Sequence, residues 1–340
     1  MKKIRVAING FGRIGKMAFK IAYEKHADEM EIVGINDLGP SEQAVMMLKY
    51  DSVYGTFKHE LTCGEDFIAV DGKKFKKFAE KDPSHLPWKD LDVDVVLECT
   101  GAFTSKEKAG MHLTGGAKSV IISAPAKGGD VGTYVMGVNH HNHNAKKEPI
   151  LSNASCTTNC IAPVMQVLES TFGIEKAMMT TIHAFTADQR LVDGSHKDPR
   201  RARSAAINII PTSTGAASAT GETIPEIKGI FDGISFRVPV PVGSVSDITA
   251  LLKKNVTVEE VNTELTKAAA TPRLKGIMEV TNDPIVSTDI VGRSVSSLVD
   301  LQLTNVVGGN LVKVVAWYDN EFGYSNRLIE QAIQVGKDLQ

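Results

Sequence analysis

Lys3-Ile4-Arg5-Val6-Ala7-Ile8-Asn9-Gly10-Phe11-Gly12-Arg13-Ile14-Gly15 decides the fold. Lys3 to Ile8 is rich in β-branched residues and reads as a strand. It runs into Gly10, Gly12 and Gly15, spaced GxGxxG, and Met17 to Tyr23 then reads as a helix. In such a strand–turn–helix the first glycine makes the tight turn. The second lets a pyrophosphate approach the backbone, and the third lets helix pack on strand. A second strand is expected from Glu31 to Asn36, ending in Asp37. An acid about twenty residues beyond the glycines is placed to accept hydrogen bonds from an adenosine ribose. Turn, strands and acid together imply a dinucleotide site.

Working outward, the first half alternates strands and helices. Val93 to Glu98, Ser119 to Ser123 and Tyr134 to Val138 are expected strands. Small or hydroxyl residues directly after the first two, such as Thr100 and Gly101, mark the ligand-binding edge of a parallel sheet. The second half holds long alternating stretches, Ser235 to Val240 and Leu311 to Trp317. These suggest a largely antiparallel sheet with helices. The predicted architecture is α/β: a Rossmann domain over 1–153 and an α+β catalytic domain over 154–320 with a mainly antiparallel sheet. Leu328, Ile329, Ala332, Ile333 and Val335 give the last segment, 325–340, a helical period. That helix is expected to pack back on the first domain.

The chemistry concentrates at Ala154-Ser155-Cys156-Thr157-Thr158-Asn159-Cys160. The apolar run Ile161 to Leu168 reads as a helix, and Thr157, Thr158 and Asn159 are N-cap types. The thiol of Cys156 is therefore expected at a helix N-terminus, where the dipole and free N–H groups favour a thiolate and hold an oxyanion. Downstream, His183 ends a strand-like stretch. Thiol, imidazole and an anion-holding turn are the parts of covalent catalysis at a carbonyl carbon. From 186 to 206 the chain is irregular and rich in arginine, as expected of a functional or interface loop able to bind phosphate.

Composition narrows the classes. The chain has 340 residues, 23% of them charged, and a net charge of −2, which gives no nucleic-acid or membrane footprint. The first residues enter a strand directly, so neither a leader nor a membrane span is expected. Four cysteines, at 63, 99, 156 and 160, do not make a disulfide framework; a reducing, cytoplasmic setting is expected. Cys63, beside a turn, and Cys99, ending a buried strand, read as structural and not reactive, and Cys160 reads as a packed small hydrophobe. His140, His141 and His143 read as a solvated loop without adjacent carboxylate or thiolate, so no metal is expected.

Taken together, these motifs resemble the phosphorylating glyceraldehyde-3-phosphate dehydrogenases over essentially the whole chain. The resemblance is carried by Asn9 to Gly15, Asn36-Asp37, Lys49-Tyr50-Asp51-Ser52, Ser123-Ala124-Pro125, Ala154 to Cys160 and His183-Ala184-Phe185-Thr186. Arg200 to Arg203, Thr212 to Ala216, Phe236 to Pro241 and Trp317 to Tyr324 carry it further. It implies Cys156 as nucleophile, with Thr157 beside it, and His183 as base. It implies Thr186 and Arg237 on the substrate's phosphate, and Ser155, Thr214, Gly215 and Arg201 on inorganic phosphate. For the cofactor NAD it implies Gly10, Gly12, Arg13, Ile14 and Gly15 at the pyrophosphate and Asp37 at the ribose. Lys81 and Ser123 would line the site, and Asn320 would orient the nicotinamide. The implied reaction is that of glycolysis and gluconeogenesis: thiohemiacetal formation, hydride transfer, then phosphorolysis of a thioester to 1,3-bisphosphoglycerate. The implied assembly is a homotetramer, with loop 186–206 reaching a neighbour.

Gly194-Ser195 stands where strictly NAD-using members carry Leu-Pro, so NADP is expected as a weaker alternative. Asp37 and the apolar Leu38 favour NAD. Erythrose-4-phosphate dehydrogenase is the nearest rival function, and a surface-binding protein the rival of another class.

Overall fold

The structure is a computed structural model and describes residues 2–340. The chain forms two compact units. One holds the residues through Tyr134, His140–Ala154 and Ser325–Gln340; the other holds Val135–Asn139 and Ser155–Tyr324.

The first unit begins with β1 (Ile4–Asn9), α1 (Arg13–Lys25) and β2 (Met30–Asn36), followed by α2 (Ser41–Lys49) and a small hairpin, β3 (Tyr50–Asp51) and β4 (Gly55–Thr56). An antiparallel run follows, β5 (Leu61–Gly64), β6 (Phe67–Val70) and β7 (Lys73–Phe78). Then come β8 (Val95–Glu98), α3 (Lys106–Thr114), β9 (Ser119–Ile122), β10 (Gly132–Thr133) and β11 (Ile150–Ser152). Nine strands make one sheet in the order β10-β11-β9-β8-β1-β2-β7-β6-β5. All pairs from β10 to β7 are parallel.

The chain leaves β1 for β2 on one side and returns to β8 on the other, so the strand order reverses at β1. That reversal opens a crevice at the carboxyl ends, where α/β sheets bind ligands. Gly10 follows β1 there with φ +92°, and an added Cβ would lie 2.7 Å from the Thr100 backbone nitrogen. A buried polar network ties the strand ends together. Asn36 Nδ2 donates to Asn9 Oδ1 at 2.7 Å, and Asn9 Nδ2 donates to Glu98 Oε2. The Thr100 N–H donates to Glu98 Oε1 at 2.8 Å. Trp88 Nε1 donates to His112 Nδ1 at 3.0 Å, which leaves His112 Nε2, 3.0 Å from Glu98 Oε2, to carry the ring proton.

Two expectations shift. The first helix starts at Arg13, not Met17, because Gly15 lies inside its first turn against the Gly10 carbonyl. Tyr134 to Val138 is not a strand. Pairing with β11 ends after Thr133, and Val138 and Asn139 both turn back to donate to the Val135 carbonyl. Asn139 Oδ1 accepts from the Val135 N–H, and Gly137 has φ +77°. An apolar run is thus curled into a turn by one asparagine and one glycine.

The second unit contains α4 (Cys156–Phe172), β12 (Ile174–Ala184), β13 (Ile210–Ser213), α5 (Ala216–Thr223), β14 (Phe231–Val238) and β15 (Ser244–Leu252). It continues with α6 (Val258–Ala269), β16 (Met278–Thr281), β17 (Ser297–Val307) and β18 (Leu311–Tyr318). The last helix, α7 (Phe322–Leu339), starts in this unit, and its residues from Ser325 belong to the first. There Gln331 accepts from Asn153 Nδ2 at 2.6 Å and donates to the Tyr134 carbonyl.

Seven strands form the second sheet, ordered β13-β14-β12-β15-β18-β17-β16. Only β12–β14 and β16–β17 are parallel, so the sheet is mainly antiparallel, as its alternation predicts. α4 is buried almost throughout, from Thr157 to Leu168 apart from Gln166, and packs on β15, β17 and β18. Gly173, at φ +71°, ends it. Along β12, Met179, Thr181 and His183 are buried while Met178, Thr180 and Ile182 take the opposite face.

A Cβ on Gly15 would sit 2.0 Å from the Gly10 carbonyl oxygen, whereas one on Gly12 meets nothing within 4 Å. Gly15→Ala should therefore lose about 2 kcal/mol or more of unfolding free energy, and Gly12→Ala less than about 1. Denaturant titration of both variants checks the contrast; equal losses would refute it.

Candidate active site

Cys156 is the first residue of α4. Ala154 precedes it in the left-handed region at φ +57°, a strained setting for a residue with a Cβ. Ser155 is the N-cap: its Oγ accepts from the Thr158 N–H at 3.0 Å and lies 2.8 Å from Thr158 Oγ1. Thr157 to Asn159, expected to cap the helix, instead form its first turn. The reason is that Ser155, at φ −101° and ψ 164°, already offers its hydroxyl to that turn.

The Cys156 Sγ lies 3.4 Å from His183 Nε2. His183 comes from the carboxyl end of β12, and the parallel register places it directly beside Arg237 of β14. Arg237 Nη1 is 2.8 Å from His183 Nδ1 and donates to the Ala184 carbonyl at 3.0 Å. Tyr318 of β18 closes the group. Its hydroxyl bridges Thr157 Oγ1 at 2.9 Å and Thr181 Oγ1 at 2.8 Å, and its ring meets His183 edge-on.

Charge behaviour departs from the expected thiolate. Burial pushes the Cys156 pKa up, against the Arg237 cation and the Thr157 and backbone donors that pull it down. His183 is driven down to about 3, first by burial and then by the cations Arg237 and Arg201, against the Ala184 carbonyl. Burial thus opposes charge on both members of the pair. The dipole argument holds in direction, but desolvation outweighs it.

The anion-binding candidates lie in the same unit. Arg237 is mostly buried, and its Nε has no partner. Arg201 is occupied: Nη1 pairs with Asp188 Oδ2 at 2.5 Å, Nε donates to Thr212 Oγ1 at 2.9 Å, and Nη2 donates to the Ser213 carbonyl at 3.3 Å. That brings Arg201 next to Thr214 and Gly215. Gly215 begins α5 without a side-chain cap, and Thr214 Oγ1 accepts from the Ala216 N–H. Ser155 stands apart at the start of α4. The Thr186 N–H donates to Gln189 Oε1 at 3.3 Å, and Gln189 Nε2 is a buried donor without a partner.

Cofactor candidates fall mostly in the first unit. Gly12 starts α1 with no side-chain cap and open space before it, a cradle that fits a pyrophosphate. Arg13 and Ile14 form the first helical turn; the Arg13 side chain pairs with Asp51 at 2.6 Å and presents its backbone. Asp37 is locked beside the glycine turn, accepting from the Phe11 N–H at 2.8 Å and the Gly39 N–H at 2.9 Å. Ser123 is half-buried after β9 and Lys81 is exposed. Asn320 belongs to the second unit, where its Oδ1 accepts from the Gly243 N–H and Ser244 Oγ, leaving its amide NH₂ as donor.

Comparison with known proteins matches these two halves separately. The glyceraldehyde 3-phosphate dehydrogenase NAD binding domain matches residues 4–106, and the C-terminal domain of the same family matches residues 155–320. The chain belongs to the glyceraldehyde 3-phosphate dehydrogenase family. It is 52% identical over 336 residues to glyceraldehyde-3-phosphate dehydrogenase of Streptomyces coelicolor, covering 99% of both chains. It is 51% identical over 340 residues to that of Borreliella burgdorferi, covering 98% of this chain and all of the other. The chloroplastic form B of Pisum sativum is 49% identical, over 97% of this chain and 73% of its own.

In this dehydrogenase two other cysteines are raised as Cys156 is. Burial pushes Cys99 and Cys160 up to about 12. Cys160 packs against Ser297 and the Ala316 carbonyl. Two further residues escape a sequence reading. Tyr318 is hidden in an apolar alternation, and Lys77, in a basic strand that looks solvated, is buried with Nζ donating to the Asp37 and Gly39 carbonyls. Among the described residues no helix is long and apolar enough to cross a membrane.

His183 takes a proton near 6.5 in the unfolded chain and near 3 in the fold. Between those values the unfolded state binds more protons, so stability falls as pH drops through the window. From pH 7 to pH 5 the wild type should lose about 2 kcal/mol more than His183→Asn, measured by denaturant titration. Equal losses would show that the imidazole is not held neutral.

Proposed function

We propose that this chain is a glycolytic, phosphorylating glyceraldehyde-3-phosphate dehydrogenase in which Cys156 is the nucleophile and His183 its base. Family membership makes it an NAD-dependent oxidoreductase, and relatives named for glyceraldehyde 3-phosphate do not favour the four-carbon aldehyde. The observation that carries the residue roles is the 3.4 Å contact between Sγ and Nε2 at the start of a helix, beside a buried guanidinium.

Cys156 adds to the aldehyde carbon as its proton passes to His183. The Cys156 N–H and His183 then hold the oxyanion of the thiohemiacetal. His183 gives its proton to that oxygen, then takes it back as the carbon gives up hydride and becomes a thioester on Sγ. NAD, when bound, supplies the hydride acceptor. Thr186 and Arg237 hold the substrate's phosphate. Arg201, Thr214, Gly215 and Ser155 hold inorganic phosphate, which displaces Sγ to give 1,3-bisphosphoglycerate. Burial of the thiol keeps water from spending the thioester. Gly10, Gly12, Arg13, Ile14 and Gly15 hold the pyrophosphate, Asp37 the ribose, Lys81 and Ser123 the rim, and Asn320 the nicotinamide amide.

The two units serve as NAD-binding and catalytic domains. The protein assembles as a homotetramer in the cytoplasm. Met178, Ile234 and Leu311 leave apolar groups exposed on the second sheet, and Leu191, Val192, Ile207 and Ile209 do so in and beside loop 186–206. Exposed apolar groups on one sheet and along one loop are what a second copy would cover.

Cys156→Ser should lose dehydrogenase activity by at least about a thousandfold while NAD binding by calorimetry is kept, because an alkoxide forms far less readily than a thiolate. Iodoacetate labelling mapped by mass spectrometry should find Cys156 first; labelling of Cys160 first would sink the assignment.

Arg237→Leu should raise KM for the phosphorylated aldehyde roughly tenfold to a hundredfold, since a charge-assisted contact is lost. Arg201→Leu should act mainly on KM for inorganic phosphate. Steady-state kinetics showing the reverse pattern would exchange the two sites.

A further inference from the structure

Strand β7 runs Lys73-Lys74-Phe75-Lys76-Lys77-Phe78, with Phe75 and Lys77 buried and the other three lysines exposed. The two-residue period of a strand puts Phe75 and Lys77 on one face. Lys77 thus fills a core position, with 6% of its surface exposed. An ammonium is costly there unless it is paired. Burial pulls its pKa down, against the Asp37 and Glu42 carboxylates that favour the charge.

What the ammonium meets is the turn after β2. Nζ donates to the Gly39 carbonyl at 2.6 Å and to the Asp37 carbonyl at 3.1 Å. The Asp37 N–H donates to the Phe78 carbonyl, next along the strand from Lys77. Asp37 Oδ1 in turn accepts from the Gly39 N–H, and Oδ2 from the Phe11 N–H. Gly39 is therefore held at both of its polar groups, the carbonyl by Lys77 and the N–H by Asp37. Leu38 is exposed, and Pro40 has no N–H to add. Each Asp37 oxygen keeps a lone pair for a ribose hydroxyl, and the turn sets its direction.

We propose that Lys77 is a specificity-determining residue of the cofactor site: by pinning the Asp37 and Gly39 carbonyls it aims the Asp37 carboxylate at a ribose with both hydroxyls free. The inference rests on the reading of Asp37 as the ribose ligand. Lys77 acts through Asp37, as a positioning residue. Loss of the pin costs NAD, which Asp37 holds, more than NADP, whose 2′-phosphate Asp37 repels. The charge of Lys77 by itself predicts the opposite. A cation beneath the turn attracts a 2′-phosphate, so its removal would cost NADP more than NAD.

The test is steady-state kinetics of the full chain with NAD and with NADP, at saturating aldehyde and inorganic phosphate. Lys77→Met keeps a long flexible side chain suited to a core position but removes the donor. It should raise KM for NAD about tenfold with kcat unchanged, as loss of a charge-assisted hydrogen bond does, and alter kcat/KM for NADP less than about twofold. Lys77→Gln, an uncharged donor, should keep the wild-type preference for NAD to within about threefold. In an Asp37→Gly background, Lys77→Met should change that preference no further, because the group it positions is gone. A greater loss for NADP than for NAD in either Lys77 variant shows that the residue acts by charge and overturns the proposal. Unchanged kinetics of Lys77→Met, an equal loss for both cofactors, or a loss that persists in the Asp37→Gly background overturns it too. A preference that Asp37→Gly leaves unaltered overturns the ribose reading, and the role of Lys77 with it.

Discussion

A buried imidazole is held between a half-buried thiol and a half-buried guanidinium, and the rest of the catalytic unit is arranged around that constraint. Taking an imidazole from 6.5 to about 3 disfavours its protonated form by about 5 kcal/mol. Burial opposes charge on the thiol as well, against the Arg237 cation that favours it. Each group lies close to the partner it needs.

What holds the trio is register rather than local sequence. β12 and β14 run parallel, and their pairing sets His183 opposite Arg237 across 54 positions of chain. β15 flanks β12 on its other side and β13 flanks β14, so neither strand is free to slip. A one-residue slip would turn His183 or Arg237 to the far face. The α4 end is fixed separately. Ser155 caps it, and Tyr318 spans from Thr157 on the helix to Thr181 on the strand. The left-handed Ala154 costs about 1 kcal/mol, which the packing of a helix buried along most of its length readily offsets.

The dinucleotide turn was legible because its requirement is local. Gly15 is demanded by the Gly10 carbonyl five residues back and Gly10 by its own positive φ, and spacing records both. The strand alternation of the second unit was legible for the same reason. Tyr134 to Val138 was not, because an apolar run has no marker for the Asn139 side chain that captures the Val135 N–H. The helix beginning at Cys156 was legible too, but the burial that reverses its effect on the thiol depends on elements far along the chain. Gln189 carried no motif of its own, and Tyr318, inside the Trp317 to Tyr324 motif, showed its role only through its partners.

Two clusters of buried polar groups are treated in opposite ways. At the carboxyl edge of the first sheet, Asn9, Asn36, Glu98 and His112 use one another fully, which rigidifies the strand ends around the glycine turn. Near the thiol, Arg237 Nε and Gln189 Nε2 are left as buried donors with nothing to accept from them. A closed network fixes a shape that does not depend on what binds. Open donors leave part of the free energy of the folded state to be recovered when an anion arrives. Arg237 shows why the open arrangement belongs here: what its Nε lacks is an acceptor, and an anionic substrate is a molecule that brings one.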